Sequence, residues 1–407
     1  MARWQLLLIT TIAIYTADGQ AKSAASSRSI ASERIGRYKS LLTEHFALPR
    51  HPYLNEVNWI KARSAIVEEF QKILHNVPNV TMEIQDFQTE ISFVPNMSTD
   101  IKGQNIIVTF SGKNRGKATD EILVIGAHYD SEASPLISID DNGSGVVAML
   151  EVARGLADAI VNRKAILLNT IIFVAFDIQN EFSDGLGQTG GSDFFVKEKL
   201  ATILDEQPKP GFLGAIVLDS VMNYNSSAGS QVLPSGFDKS FPEAFSQVQA
   251  NMYKGNYVAM VTKERLRSLQ LDYVIAQEWN KTDTQGQFPL IQLEIRRTAA
   301  SPALFEFLKQ DHVPFWNHNN NPLPAILLTD TSKWRGVQRM CGLEVCNSTS
   351  LLTVDRLNML DQVVVTLDHF ISKSHLNDSA AIETGSGTST YASLSATLLT
   401  VLVAYLL

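Results

Sequence analysis

Strand-like and helix-like segments alternate along the body of the chain, from about Ser23 to Ser374. Short apolar, β-branched runs separated by amphipathic stretches are typical of helices packed on a mostly parallel sheet. We therefore expect an α/β fold in a single domain, with a mixed, mostly parallel sheet and helices on both faces. Strands are predicted at Asn105–Phe110, Ile122–Ile125, Thr170–Phe176, Ala215–Leu218 and Ala325–Leu328, and helices at Asn55–His75, Val146–Ala159 and Val354–Ser374.

The composition is that of an ordinary folded protein. The 407 residues are 45% hydrophobic and 19% charged, which is enough to bury a sizeable core. The net charge of -8 argues against a nucleic-acid partner. Between Asn223 and Thr298 the pattern is irregular and rich in polar residues, which predicts an insertion or a cap on the substrate side.

The predicted helix Asn55–His75 has apolar residues at helical spacing. A stripe of this kind is expected to face the core. Its members are Val57, Ile60, Ala65, Ile66, Phe70 and Ile73.

Both ends of the chain are typical of an exported protein. Residues 1–20 combine a basic start, the apolar run Leu6–Tyr15 and small residues near Gly19, which predicts a signal peptide. Residues 377–407 form a polar spacer and the apolar tail Leu394–Leu407, typical of a glycosylphosphatidylinositol signal. A short tail anchor is the alternative, although about 14 apolar residues are few for a bilayer span. We predict a protein attached to the outer face of the cell membrane through a C-terminal lipid anchor, or secreted.

Glycan acceptor triplets and a cysteine pair agree with export. The only two cysteines, Cys341 and Cys346, most simply close a small disulfide loop in an oxidising compartment, with two buried free thiols as the alternative. Asn-x-Ser/Thr triplets are acceptors for N-linked glycans in the secretory pathway. They begin at Asn79, Asn96, Asn225, Asn280, Asn347 and Asn377.

Acidic and histidine side chains follow the predicted strands, at the edge where open α/β sheets hold ligands. They are His128, Asp130, Asp141 and Asp219, with Asp141 in an acidic turn that opens a helix. His128 and Asp130 point to the same side of an extended segment, so Asp130 can accept the imidazole N–H and orient His128 as a metal ligand. Each residue alone would be read as a cap or turn residue. Their placement at consecutive strand ends predicts a metal site.

Several short motifs, in a fixed order, carry a family resemblance. They are Gly126-Ala127-His128-Tyr129-Asp130-Ser131, Asp141-Asn142-Gly143-Ser144-Gly145, Phe173-Val174-Ala175-Phe176-Asp177, Gly191-Ser192, Leu218-Asp219 and Asp311-His312-Val313-Pro314-Phe315. From Gln104 to Ser374 the chain resembles the co-catalytic zinc aminopeptidases, whose relatives include glutamate carboxypeptidases and glutaminyl cyclases. The resemblance implies a zinc-exopeptidase type of fold.

The resemblance also implies a role for each matching residue. His128 would bind one zinc ion, Asp141 would bridge two, and Asp219 would complete the shell of the first. In the family, the metal pair polarises a peptide carbonyl and activates a water molecule, which a glutamate deprotonates.

The chain departs from the family pattern at the positions of the general base and of the ligands for the second metal ion. Gln179 stands at the general-base position and Asn180 at the next ligand position. An amide is not a base near neutral pH, and it is a far poorer zinc ligand than a carboxylate. Glu181 could serve as a ligand if the turn is shifted by one residue. Leu343 occupies the position of the last His ligand.

These departures set two functions against each other. The first is a surface glycoprotein with lost or much reduced peptidase activity, which keeps one zinc ion in preference to two and binds a peptide or protein in the cleft or through residues 223–298. The alternative is an active zinc exopeptidase with an unusual ligand set. A glutaminyl cyclase is disfavoured, because that chemistry also needs a carboxylate at position 179 and the missing His.

Overall fold

The computed structural model describes residues 31–94, 97–132, 138–179, 190–264, 271–296, 302–318, 321–335 and 351–377. Within these ranges the strands are β1 Val80–Val94, β2 Met97–Phe110, β3 Glu121–His128, β4 Ile166–Leu167, β5 Ile171–Phe176, β6 Gly211–Leu218, β7 Val258–Lys263, β8 Leu290–Ile295, β9 Ala325–Thr329 and β10 Leu376–Asn377. Most of them are β-branched or aromatic runs, which suit a pleated, buried surface.

Eight of these strands form one mixed sheet in the order β1-β2-β5-β3-β6-β9-β7-β8. The central four, β5, β3, β6 and β9, are mutually parallel, so their carboxyl ends lie at the same edge. We call this the carboxyl edge of the sheet. The flanking pairs β1/β2, β2/β5 and β7/β9 are antiparallel, and β7 and β8 are parallel. Strands β4 and β10 form a separate two-stranded ribbon.

The helices cover both faces of the sheet. A helix at residues 31–41 continues into the π-helical turn Leu42–Phe46. The α-helices are α1 Glu56–Ile73, α2 Gly143–Val161, α3 Gly191–Phe194, α4 Ala201–Leu204, α5 Phe237–Ser240, α6 Pro242–Ala250, α7 Leu271–Thr282, α8 Pro302–Phe305, α9 Val313–Trp316 and α10 Val354–Ser374. A π-helical segment, Phe195–Leu200, joins α3 to α4, and short 3-10 turns lie at Glu306–Leu308 and Ser332–Trp334.

Two apolar cores, one on each side of the sheet, hold these layers together. Helices α1, α2, α7 and α10 and the helical residues 31–46 pack on one face. The segment from α3 to α4 and helices α5, α6, α8 and α9 pack on the other. The sheet residues are therefore buried on both sides, which explains the continuous apolar runs of β3, β5 and β9. The predicted fold class is confirmed, and the predicted strands and helices are present.

The segment 223–298 is more regular than the sequence pattern predicted. It supplies β7 and β8, which extend the main sheet, and helices α5, α6 and α7. The expectation of an irregular insertion is therefore corrected. Strand β8 was missed because it lies at the edge, where alternate residues are half exposed and the apolar run is interrupted.

The apolar face of α1 also differs from the prediction. Trp59 and Ala62 join the buried residues Ala65, Ile66 and Phe70, whereas Val57 is 66% exposed. Ile60 is likewise exposed. The predicted stripe was too wide, because tertiary contacts select only part of a helical face.

No helix in the described ranges is both long and apolar enough to cross a membrane.

Candidate metal centre

The carboxyl edge of the sheet brings together the predicted metal-binding residues. His128 ends β3, and Asp219 follows β6 directly. These neighbouring strands are parallel, so both residues lie at the same edge of the sheet. Asp141 precedes α2, which begins at Gly143. The ligand atoms of these three side chains lie within 4.8 Å of one another. His128 Nε2 is 3.6 Å from Asp141 Oδ1 and 3.5 Å from Asp219 Oδ1.

Asn142 fixes the acidic turn to the end of β6. Its side-chain oxygen accepts hydrogen bonds from the N–H groups of Gly145 and Ser220, each at 3.0 Å. Its amide nitrogen donates to the carbonyl of Leu218 at 2.8 Å. Because Asn142 adjoins Asp141 and Ser220 adjoins Asp219, one side chain fixes the spacing between the two carboxylates.

Asp130 lies next to the imidazole of His128, which its main-chain carbonyl contacts more closely than the carboxylate that the sequence had suggested. His128 Nδ1 lies 3.1 Å from the Asp130 carbonyl oxygen and 3.4 Å from its carboxylate Oδ1. Both neighbours are acceptors, so Nδ1 carries a proton, and Nε2 would be left to offer its lone pair to a metal ion held between it and the two ligand carboxylates. Burial alone would lower the pKa of His128, but the carboxylates of Asp130 and Asp219 raise it well above its ordinary value.

The three residues fit a divalent metal ion. His128 Nε2 is buried and has no hydrogen-bond partner, although it faces two carboxylates. A buried polar atom without a partner is costly, and a cation between the imidazole and the carboxylates would satisfy it. One His and two Asp side chains form a ligand set that zinc accepts. Asp141 is 21% exposed, so the cluster is open to solvent on that side.

The side of the site that follows β5 holds an amide where the family has a base. Gln179 is buried, and its main-chain N–H donates to Asp130 Oδ2 at 3.0 Å. Its side-chain amide donates to the Oε1 of Gln310. Two amides thus pair with each other beside the metal cluster, and neither can accept a proton near neutral pH.

Asp177, at the end of β5, forms the hydrogen bonds that hold this side of the site in place. Its carboxylate accepts hydrogen bonds from Trp59 Nε1 at 2.7 Å, the Gln104 N–H at 2.8 Å and the Ile178 N–H at 3.0 Å. Burial, followed by the charge of Asp130, raises the pKa of Asp177 to about 7. Asp177 therefore joins α1 and β2 to the end of β5 and is not a ligand candidate.

A second pair of carboxylates lies behind the cluster and was not predicted. Asp330 follows β9, is fully buried, and accepts the N–H groups of Met222 and Asn223 at 3.1 and 2.7 Å. Burial and the neighbouring charge of Asp330 raise the pKa of Asp140 well above its ordinary value, so the pair shares a proton. The available sequence signal was an acidic residue directly after a buried strand.

The motif Asp311-His312 lies next to the site but is not part of the ligand cluster. Ser192 Oγ donates to Asp311 Oδ1 at 2.6 Å, and burial raises the pKa of Asp311 to about 6. Burial, together with the charge of Lys263, lowers the pKa of His312 to about 3, so this imidazole is neutral. Its ring packs edge-on against Trp316, with the centroids 4.3 Å apart.

Several predicted residues lie outside the described ranges. These are Asn180, Glu181, Leu343, the two cysteines Cys341 and Cys346, and the acceptors Asn96 and Asn347. Of the other acceptors, Asn79, Asn280 and Asn377 are exposed and Asn225 is half-buried.

A mixed, mostly parallel sheet with an imidazole and two carboxylates at its carboxyl edge is the arrangement expected of a zinc-exopeptidase type of fold. Residues 105–332 match the sequence profile of Peptidase family M28, a range that contains every member of the cluster. The chain belongs to Peptidase family M28. Zinc is the metal that this family and the donor set imply.

Relatives with similar sequences share only part of this chain. It is 30% identical over 116 residues to a vacuolar membrane protease of Yarrowia lipolytica (strain CLIB 122 / E 150), covering 26% of this chain and 11% of that protein. It is 25% identical over 238 residues to the uncharacterized protein YfbL of Escherichia coli (strain K12), covering 55% of this chain and 59% of that protein. The chain therefore spans less than two thirds of either relative.

Solved structures share the fold at low identity. The glutaminyl cyclase of Porphyromonas gingivalis aligns with a TM-score of 0.50 and 17% identity, covering 84% of this chain and 98% of that one. The Bacteroides thetaiotaomicron glutaminyl cyclase bound to N-acetylhistamine aligns with a TM-score of 0.50, 12% identity and the same coverage. At such identities the likeness supports the fold and not the reaction.

Proposed function

We propose that the chain is an exported, metallopeptidase-like glycoprotein that holds one zinc ion and binds a peptide or protein at the carboxyl edge, with lost or much reduced peptidase activity. The observation that carries the proposal is the side chain of Gln179. It is buried beside Asp130 and bonded to Gln310, at the general-base position that the family resemblance assigns. A general base contributes about 10²–10⁴ to a hydrolytic rate, and an amide supplies none of it.

One ion is favoured over two by the chemistry of the remaining positions. His128, Asp141 and Asp219 account for one metal site. The second would need ligands where the chain has Asn180 and Leu343, an amide and a hydrocarbon. When bound, a zinc ion supplies a Lewis acid for a carbonyl oxygen. The residues around it would hold and orient the ligand rather than move its protons.

The surroundings of the cluster favour a peptide as the ligand. A zinc ion held by His128, Asp141 and Asp219 would accept a carbonyl or carboxylate oxygen of a peptide. We place an apolar rim beside it, defined as the exposed apolar side chains between residues 48 and 60. They are Leu48, Tyr53, Leu54, Val57 and Ile60.

Arg50 attaches the apolar rim to the metal centre. Its buried guanidinium donates to the carbonyls of Tyr129 and Ser138, each at 2.8 Å, and to Phe46 and Leu48 at 2.7 and 3.0 Å. Tyr129 adjoins His128, and Ser138 precedes the acidic turn. A group of exposed apolar side chains beside a polar site is typical of a binding surface. We assign the rim to the apolar side chains of the bound peptide.

Export, glycosylation and membrane attachment are part of the same proposal. They are supported by the apolar N-terminal segment, by the exposed acceptors Asn79 and Asn280, and by the apolar C-terminal tail. The protein would then act on the outer face of the cell membrane or after secretion.

An active zinc exopeptidase remains the alternative, because the chain belongs to a peptidase family. In that case Glu181 must replace the missing base or ligand.

The test measures metal content and hydrolysis on the same purified, exported protein. We expect about one zinc ion per chain and hydrolysis of leucine amide no faster than for a His128→Ala variant. If the wild type hydrolyses leucine amide and His128→Ala does not, the inactive assignment is overturned. If Glu181→Gln also loses that activity, Glu181 is identified as the replacement base. Absence of zinc would overturn the metal assignment.

The peptide assignment has its own measurement. Calorimetric binding of a leucine-rich peptide with a free amino end should weaken about tenfold when Leu54 and Val57 are both changed to Ser, since two apolar contacts are lost. Tyr273, exposed on α7, provides a control when changed to Ser. Equal affinity in all three proteins would show that the rim is not used.

A further inference from the structure

A large cavity lies at the opposite edge of the sheet from the metal centre. Its volume is about 660 Å³, within the range of about 300–1,000 Å³ that ligand pockets occupy. The start of β1, the end of β2 and the ribbon strand β4 surround it, so it lies near the amino end of β5. None of its lining residues belongs to the metal cluster.

The walls of this cavity are mixed in character. Val80, Ile160 and Ile166 present half-buried apolar side chains to it, and Lys113 and Arg115 also line it. Apolar side chains facing an open cavity leave hydrocarbon surface in contact with water. The occupant that suits such a wall has an apolar face together with hydroxyl or amide groups.

All three residues of one glycan acceptor triplet line the cavity. Asn79, Val80 and Thr81 form the triplet, and both Asn79 and Thr81 are exposed. Asn79 has a φ of 55°, a left-handed conformation that Asn adopts more readily than most residues. Its carbonyl accepts the Ser111 N–H at 2.9 Å, which fixes the backbone of the acceptor residue to the cavity wall.

We propose that the inner sugars of an N-linked glycan on Asn79 occupy this cavity. N-acetylglucosamine has an apolar C–H face for the Val80 and Ile166 side of the wall, and hydroxyl and acetamide groups for the Lys113 side. Covalent attachment at the wall keeps the sugar at a high effective concentration, so even weak contacts suffice to hold it. The inference rests on the proposed export of the chain and goes beyond the proposed function at the metal centre.

The glycan is expected to stabilise the segments that surround the cavity. The N–H groups of Lys113 and Asn114 donate to the carbonyls of Leu167 and Leu168, each at 2.9 Å, and these bonds join the two walls. A sugar packed across the wall would reduce the opening of these bonds. Local opening is what amide hydrogen exchange reports.

The test removes the glycan without changing Asn79. Thr81→Val destroys the acceptor triplet, whereas the matched Thr81→Ser keeps it. The full chain is exported from a eukaryotic cell line, and glycopeptides are identified by mass spectrometry. We expect glycan on Asn79 in the wild type and in Thr81→Ser, none in Thr81→Val, and several-fold faster exchange of residues 110–117 and 160–167 in Thr81→Val alone.

Two further measurements separate the cavity from a general effect of glycans. Asn280→Gln removes an acceptor on the exposed surface of α7 and should leave exchange at the cavity unchanged. Enzymatic trimming of the Asn79 glycan to its innermost sugar should preserve the slow exchange. Equal exchange in Thr81→Val and Thr81→Ser would overturn the inference. So would an unmodified Asn79 in the exported chain, whereas a chain that never reaches the cell surface or the medium would overturn the proposed export.

Discussion

The residues on the two sides of the metal centre are largely buried and hydrogen-bonded, but they differ in their chemical groups. On the side formed by β3, β6 and the start of α2, an imidazole and two carboxylates converge, and Asp130 and Asn142 hold them in place. On the side that follows β5, Gln179 is as well buried and as well bonded, yet it offers only an amide. Hydrogen bonds hold the side chains in place on both sides, whereas only the first side carries metal-binding groups.

This difference separates what metal binding requires from what peptide hydrolysis requires. A metal ion needs ligands with free lone pairs at fixed distances, and the first side provides them. Hydrolysis needs in addition a group that takes a proton from water, and at the position where the family resemblance places that base the second side has the amide of Gln179. A site of this kind can retain a cation and a peptide after it has lost the ability to cleave the peptide.

The strongest test of the comparison removes a ligand from the first side. His128→Ala should weaken zinc binding by about 100-fold or more, since one ligand carries about 3 kcal/mol of the binding free energy. Competition with a chromogenic chelator measures the affinity. Gln179→Ala is the matched control on the second side and should leave the affinity unchanged. Equal losses in the two variants would show that both sides bind the metal.

Asp177→Asn tests how the second side is held. The pKa of Asp177 in the folded protein is about 7, above the value of about 3.8 expected for the unfolded chain, so the folded state binds the extra proton. Its contribution to stability is therefore present at low pH and is lost as the pH rises from about 4 to 7. Asn does not titrate, so the stability deficit of the variant should shrink by about 2 kcal/mol between pH 5 and pH 7.5.

Urea unfolding of Asp177→Asn and the wild type at the two pH values measures this change. Asp120→Asn is a suitable control, because Asp120 is also buried and accepts two hydrogen bonds from Thr170 far from the site. A deficit that grows with pH in Asp177→Asn would contradict the assignment.

The orienting role of Asp130 predicts a smaller effect on the metal. Asp130→Asn should lower zinc affinity about tenfold, because the variant no longer offers a carboxylate to the Nδ1 proton of His128. The loss stays at the low end of the usual range because the main-chain carbonyl of Asp130 still accepts from that nitrogen. Calorimetric titration with zinc gives the affinity, and an unchanged value would remove Asp130 from the site.

The smallest effect is expected from restoring the base alone. Gln179→Glu should raise hydrolysis of leucine amide by less than about tenfold, well below what a complete general base supplies, because Asn180 and Leu343 still stand at the remaining ligand positions. Gln179→Asn is the control for the altered contact with Gln310. A rise of about 10³-fold would mean that the second side lacks only its base.

The sequence predicted the first side of the site better than its surroundings. His128, Asp141 and Asp219 could be found because parallel strands bring their carboxyl ends to one edge, so position after a strand carries spatial information. The pairing of Gln179 with Gln310 joins residues 131 positions apart, and no local pattern encodes it. Asp330 was missed although it directly follows the buried strand β9 and so carries the same kind of signal as Asp219.

The fold shows the same limit. Continuous apolar runs such as β3 and β5 could be predicted from the sequence as buried strands. The edge strand β8 alternates between buried and half-exposed residues, and the face of α1 is narrower than its apolar residues suggest. In both elements the outcome depends on neighbours distant in sequence.

The small ribbon of β4 and β10 fixes where the last described residues of the chain lie relative to the metal centre. Leu376 and Asn377 pair with Leu167 and Ile166, just before β5 begins, whereas the metal centre lies beyond the end of β5. The length of β5 separates the two by about 16 Å or more. A molecule attached after Asn377 would therefore start from the end of the sheet opposite the metal centre.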